Sequence, residues 1–200
     1  MINSIIRTFY NISREHNLIR QFKYDRLSKG SGIGEENHPL CFLEDPIYVA
    51  DSSLTDGSVR CTVTFDIVMI PQAFENYNMK QLSVEECQTI AHAIALNYVA
   101  KLKDMNINHE NYDEEKYNTS IHVLEYNFMT LRHWFDNDAA GVRCTMEITC
   151  DNPINYCDLE EHFNPDKEFN LNELLQNIDT DDAAGCSNVT FDYKLPKFTL

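Results

Sequence analysis

Asp136, Asp138, Gly141 and Glu147 stand at positions 1, 3, 6 and 12 of a calcium-loop pattern in "DNDAAGVRCTMEITC". Carboxylates at that spacing supply hard oxygen ligands to a divalent cation, and the glycine permits the sharp turn around it. The same residues also read as a tight turn that launches a strand, with no metal involved. Two features favour the turn. Position 5 is Ala140, which has no side-chain oxygen, and position 8 is Arg143, where an apolar residue normally packs.

Three segments repeat this device. "DGSVRCTVTFDIVMIP", "DAAGVRCTMEITCDNP" and "DAAGCSNVTFDYKLP" each run from an acidic residue and glycine into a strand, and two of them share V-R-C-T. A turn used three times accounts for the aspartates and glycines together. Other chemistry finds little support. The glycines of "LSKGSGIGEENHPL" lack the spacing of a phosphate loop and of a dinucleotide fingerprint, so the segment reads as a contact loop. The histidines lie far apart, at 16, 38, 92, 109, 122, 133 and 162, and no G-x-S-x-G, H-E-x-x-H or clustered Cys/His spacing is present. The expectation is a protein that is no enzyme and carries no cofactor or metal.

The elements that would hold these residues are legible from periodicity. Ile5, Ile6, Phe9, Tyr10 and Ser13 give an N-terminal helix over 3–16. "NLIRQFKYD" (17–25) alternates as a strand. "CFLEDPIYVAD" (41–51) and "SVRCTVTFDIVMIP" (58–71) flank turn residues and form a hairpin signature. The second of these strands sets Val59, Cys61, Val63, Phe65, Ile67 and Met69 against Arg60, Thr62, Thr64 and Asp66, so one face is buried and the other wet or paired.

Ser83 and Glu86 form a capping box for a helix over 83–105, whose apolar stripe is Cys87, Ile90, Ala91, Ile94, Tyr98 and Leu102. His92 sits beside that stripe as a structural residue, and Lys101 and Lys103 suit the negative end of the helix dipole. The β-branched and aromatic run 119–135 reads as a strand, with Leu124, Tyr126, Phe128 and Trp134 on one face and Val123, Met129, Leu131 and Phe135 on the other. A short helix over 170–178 and a last strand follow. The fold class is α+β: a mostly antiparallel sheet with an N-terminal helix and one main helix packed on it, plus an acidic C-terminal extension. Residues 1–157 form the domain and 158–200 the extension.

The totals bound the function. With 16 basic and 32 acidic residues the chain carries −16, which argues against a grip on a phosphate backbone. The charge is uneven. Residues 1–30 hold Arg7, Arg14, Arg20, Lys23, Arg26 and Lys29 against Glu15 and Asp25, a net +4, leaving −20 for the rest. A basic end on an acidic body favours head-to-tail contact between copies, or with a neighbour; a solvated acidic surface is the plainer alternative. Seven cysteines without a C-x-x-C pair read as reduced thiols, with Cys61, Cys87 and Cys144 as small core residues. The start lacks the features of a secretory signal, and no apolar stretch approaches the ~20 residues of a membrane span.

The order of elements carries a resemblance. "NLIRQFKYD", a loop closing on "HPLCFLEDPIYV", a strand ending in "FDIVMIP" before a capped helix, then a hairpin at "DNDAAGVRCTMEIT" finishing in "DNPINYC" resemble tailed-bacteriophage neck proteins. The likeness is to those of the tail-terminator and tail-completion type, including ring proteins below the portal of crAss-like phages. It covers residues 1–157 and implies a virion protein made in the host cytoplasm. Such proteins form homo-oligomeric rings that join portal and tail around the DNA channel. The partners implied are copies of itself, adjacent neck, portal or tail proteins, and DNA that passes without specific binding. The contact residues expected on this reading are Arg20, Lys29, Gly30, Gly32, Gly34, Trp134, Asp136 and Asp138. The rival readings are a soluble cytosolic adaptor with one protein partner, and a metal-dependent enzyme or ion binder using Asp136, Asp138 and Glu147.

Overall fold

The computed structural model describes residues 2–26, 37–50, 57–71, 82–114, 116–134, 139–151 and 188–190. They form an α+β architecture: two helices on one face of a seven-stranded, mostly antiparallel sheet. In chain order the elements are α1 (Ile2–Glu15), β1 (Gln21–Arg26), β2 (Leu40–Asp45), β3 (Tyr48–Ala50), β4 (Ser58–Met69), α2 (Val84–Ile107), β5 (His122–Trp134), β6 (Ala139–Asp151) and β7 (Asn188–Thr190). The sheet order is β5-β6-β4-β2-β1-β7, with β3 also paired to β4; β1 and β2 are its one parallel pair.

α1 buries Ile5, Ile6, Phe9 and Ile12. Its Thr8 and Ser13 hydroxyls donate back to the carbonyls of Ser4 and Phe9, each at 2.8 Å, so neither enters the core without an acceptor. α2 begins with the capping box: Glu86 N donates to Ser83 Oγ at 3.1 Å, and Ser83 N donates to Glu86 Oε2 at 2.8 Å. The buried face of α2 carries Cys87, Ala91, Ile94, Tyr98 and Leu102. It runs to Ile107, past the expected end, so its last turn holds no basic residue. Lys101 and Lys103 instead lie over aromatic rings, at 4.7 Å from Tyr112 and 4.8 Å from Tyr126. Between helices and sheet the rings of Phe9, Phe65 and Tyr98 pack with centroids 5.3 to 6.2 Å apart, and the hydroxyls of Tyr98 and Ser13 meet at 2.6 Å. Cys41, Cys61, Cys87, Cys144 and Cys150 are all buried free thiols.

Three boundaries differ from the sequence reading. β1 starts at Gln21 rather than near Asn17, because the chain first turns off α1: Leu18 N donates to His16 Nδ1 at 3.2 Å and Ile19 N to the His16 carbonyl. The 41–51 run is two strands, since Pro46 has no N–H to give a ladder. Both halves still pair antiparallel with β4, Leu40–Leu43 against 65–68 and Tyr48–Ala50 against 60–62. In β5 the register shifts between Val123 and Glu125, so Val123 shares the helix-side face with Tyr126 and Phe128 instead of opposing them.

The second acid–glycine segment also needs correction. Gly57 does occupy a turn, at φ 69°, where a Cβ is strained. Gly141, by contrast, lies inside β6 opposite Val68, and a Cβ there would stand 2.0 Å from the Ile67 carbonyl oxygen. Its role is close strand approach, not a bend.

Candidate interaction site

With both helices on one side, the other face of the sheet gathers the polar side of β4 and its register partners. Arg143 of β6 lies opposite Asp66 of β4. Its Nε donates to Asp66 Oδ1 at 2.9 Å and its Nη2 to Asp66 Oδ2 at 3.0 Å, a two-pronged fork. Nη2 also reaches Glu44 of β2. Asp66 is fully buried. Burial pushes its carboxyl up to about 6 against the lowering pull of Arg143, and burial likewise raises Glu44. Burial opposes the charge on Arg143, yet the two carboxylates outweigh it and hold the guanidinium above its ordinary value.

The repeated V-R-C-T acquires a reason here. Its two copies run antiparallel on β4 and β6, and each arginine meets a carboxylate on the opposing strand: Arg143 with Asp66, and Arg60 with Glu147 at 3.6 Å. The first pair is buried and fixes register; the second is half-exposed and contributes little. Beside the buried pair the face also holds a small apolar cluster, with Leu40, Phe42, Val68 and Ala139 buried together.

The extended geometry of β6 also bears on the calcium pattern. Gly141 and Glu147 are six residues apart on a continuous strand, about 20 Å at the usual rise. Positions 6 and 12 of that pattern therefore do not close round one ion. Among the described residues, no three His, Cys, Asp or Glu side chains gather as metal ligands.

The feature with most scope for contact is the outer edge of β5. β6 pairs with it on one side, and no described strand pairs with it on the other. Register shifts at Val123/Glu125 and Arg132/Trp134 frame a regular run of about eight residues. Bulges blunt a sheet edge against pairing, so the ends of β5 are protected and its middle is not. Leu124, Tyr126 and Met129 are 49 %, 37 % and 51 % exposed there.

α2 lies antiparallel over β5 and ties it down. Arg132 meets Glu85 at 3.7 Å, Gln88 Nε2 donates to the Leu131 carbonyl at 2.9 Å, and His92 packs edge-on to Phe128 at 4.8 Å. At the far end Asn106 bonds His122 at 3.1 Å. His92 thus holds a structural contact, as its lone position beside the stripe implied.

The opposite flank carries charges of both signs: Glu15, Asp25, Glu44 and Asp45 lie there, and Arg26 pairs with Asp45 at 3.1 Å. α1 packs over β1 and β2, which brings Arg7, Arg14, Arg20, Lys23 and Arg26 to the side of the sheet away from β5. Of the residues expected to make contacts, Arg20 is half-buried just before β1, where its N–H donates to the Pro39 carbonyl at 2.9 Å. Trp134 ends β5 with its backbone opposite Ala139. Lys29, Gly30, Gly32, Gly34, Asp136 and Asp138 lie outside the described residues, as do the helix expected at 170–178 and residues 182–187 of the third acid–glycine segment. Arg20 and Trp134 are therefore not brought together: they stand towards opposite edges. The sequence reading missed the Glu44–Arg143–Asp66 cluster and the edge position of β5. For the first, an arginine in each V-R-C-T copy and an aspartate on the polar face of β4 were the available signal.

No protein-family model and no curated protein matches this chain. Among the described residues, fold and edges define a helix-backed α+β domain in which β5 is a long edge strand paired on one side by β6. No helix among the described residues is long and apolar enough to cross a membrane.

Proposed function

We propose that the chain is a structural virion subunit that assembles head-to-tail into a homo-oligomeric ring in a phage neck, joining portal and tail around the DNA channel. The observation that carries this reading is the outer edge of β5, which no described strand pairs. A regular, partly apolar strand edge is a template for another strand, and monomeric proteins seldom leave one uncovered. The uneven distribution of charge along the chain also supports it. A net +4 in residues 1–30 faces −20 in the rest of the chain, so a second copy is an electrostatic complement of the first. Joining unlike edges is a heterologous contact, which closes into a ring when the rotation allows.

The order of elements shared with tail-terminator and tail-completion proteins supplies the setting. An acidic wall repels passing DNA and keeps the channel free of adhesion, so the role requires neither catalysis nor specific DNA binding. Adjacent neck, portal or tail proteins are the further partners. The mass of the purified chain by light scattering, with and without chelator, tests the reading. A chelator-insensitive multiple of 23.2 kDa supports the ring, a chelator-insensitive monomer supports a single-partner adaptor, and chelator-dependent unfolding supports an ion binder.

A further inference from the structure

We propose that Cys61 and Cys150 form a reversible modification site: hydrogen peroxide joins their sulfurs in a disulfide that clamps β4 to β6. The site lies within one chain and does not depend on assembly.

The ladder places the pair. Cys61 of β4 stands opposite Ile148, and Cys150 of β6 stands opposite Val59, so the two cysteines are diagonal neighbours across one pair of strands. Both are buried in the core cluster beneath the helices. The Cys150 thiol donates to the Cys61 sulfur, and Cys150 Sγ also lies 3.9 Å from the Val59 carbonyl oxygen. The pair sits near the end of the ladder. Beyond Cys61–Ile148 the pairing runs only through Arg60–Thr149, Val59–Cys150 and Ser58–Asp151 before the turn at Gly57. Ser58 and Val59 are half-buried there, and Asp151 is exposed. Strand ends open at far lower cost than the whole fold. Fraying of these last rungs admits a molecule as small as a peroxide to sulfurs that the closed protein buries.

The surroundings assign the roles. The hydrogen bond from Cys150 holds the Cys61 thiol below its ordinary value against the opposing pull of burial, and the same bond together with burial raises Cys150. Burial pushes Cys41 and Cys144 up to about 12 and Cys87 up to about 11, so these stay protonated and unreactive. The Cys61 thiolate attacks one peroxide oxygen. The O–O bond breaks, hydroxide leaves and takes up the proton that Cys61 gave up, and Cys61 becomes a sulfenic acid. The Cys150 sulfur then attacks the Cys61 sulfur. The S–O bond breaks, and the hydroxyl leaves as water with the Cys150 proton. Two sulfurs together lose two electrons, and one peroxide becomes two waters. Exchange with a small thiol opens the bond again.

Thiol mapping of the full-length chain tests this. Cys157→Ser and Cys186→Ser leave the five buried cysteines as the only thiols. The protein is treated with a small excess of hydrogen peroxide, unfolded, alkylated and digested for mass spectrometry, with and without a thiol reductant. Three alkylated cysteines and a linked Cys61–Cys150 peptide are expected, and the reductant restores all five. A bond between residues so distant in sequence constrains the unfolded chain, so the oxidised protein should also melt higher. Cys61→Ser and Cys150→Ser should each abolish the link and the rise. The parent protein decides the matter even where a serine variant fails to fold. Five alkylated cysteines after peroxide, a link that uses another cysteine, or Cys61 carried on to sulfinic acid without a link each overturns the site. A linked protein that melts no higher overturns the clamp.

Discussion

Replacing Arg143 with methionine removes the cation from a fully buried carboxylate. Asp66 loses both prongs of its fork, at 2.9 and 3.0 Å, and Glu44 loses its contact with the same guanidinium. Leaving one member of a buried ion pair behind typically costs about 3–5 kcal/mol. The pH dependence makes the estimate specific. In the native protein Asp66 has a folded-state value of about 6 against an ordinary 3.8, so it binds protons more readily folded than unfolded, and from this group alone stability declines as pH rises from 4 to 6. Without Arg143 the folded-state value moves higher still.

Above pH 6 the variant alone is relieved as protons are added, at about 1.4 kcal/mol per pH unit. The stability gap between wild type and Arg143→Met should therefore narrow from pH 8 to pH 6 and flatten from pH 6 to pH 4, where both forms are protonated. Denaturant titrations at pH 8, 7, 6 and 5 read this directly. Arg143→Met combined with Asp66→Leu removes the stranded charge and should cost less than Arg143→Met alone. A gap below about 1 kcal/mol at pH 7, or one that stays constant or widens towards pH 6, refutes the reasoning.

Gly141→Ala forces a Cβ against the Ile67 carbonyl oxygen; β4 and β6 must part, with a loss of about 1–3 kcal/mol or more in a thermal or denaturant melt. Ser83→Ala deletes the cap that accepts Glu86 N and should lower stability by about 1 kcal/mol, with the loss confined to the first turn of α2 in hydrogen exchange. Burial holds His16 below its ordinary 6.5. It therefore binds protons less readily folded than unfolded, and stability is lost as pH falls below 6.5. The advantage of wild type over His16→Gln should shrink between pH 7 and pH 5 in melts of the two proteins.

The helices were legible because their signals are local. A 3.6-residue stripe marks α1, and Ser83 with Glu86 marks the start of α2 within four residues. β4 was legible for the same reason, its alternation separating Val63 and Phe65 from Thr64 and Asp66. What escaped depends on partners distant in sequence. Asp66 on the polar side of β4 was read as wet or paired, but its partner Arg143 is 77 residues away, and only the β4–β6 register brings them together. Gly141 looked like a turn residue because the constraint on it is the Ile67 carbonyl of another strand. β5 reads as apolar on both faces, and nothing in its own residues says that it closes one edge of the sheet. Sheet order decides that, and the contact surface follows from sheet order.

The account depends on β5 being an assembly edge. Sedimentation of the wild-type chain beside Met129→Lys tests the claim most directly, since Met129 is 51 % exposed in the middle of that strand and a lysine there blunts an edge against pairing. The wild type should sediment as a multiple of 23.2 kDa, and the variant as a folded single chain with an unchanged melting transition. A wild-type monomer, or a variant that assembles as fully as the wild type, would contradict it.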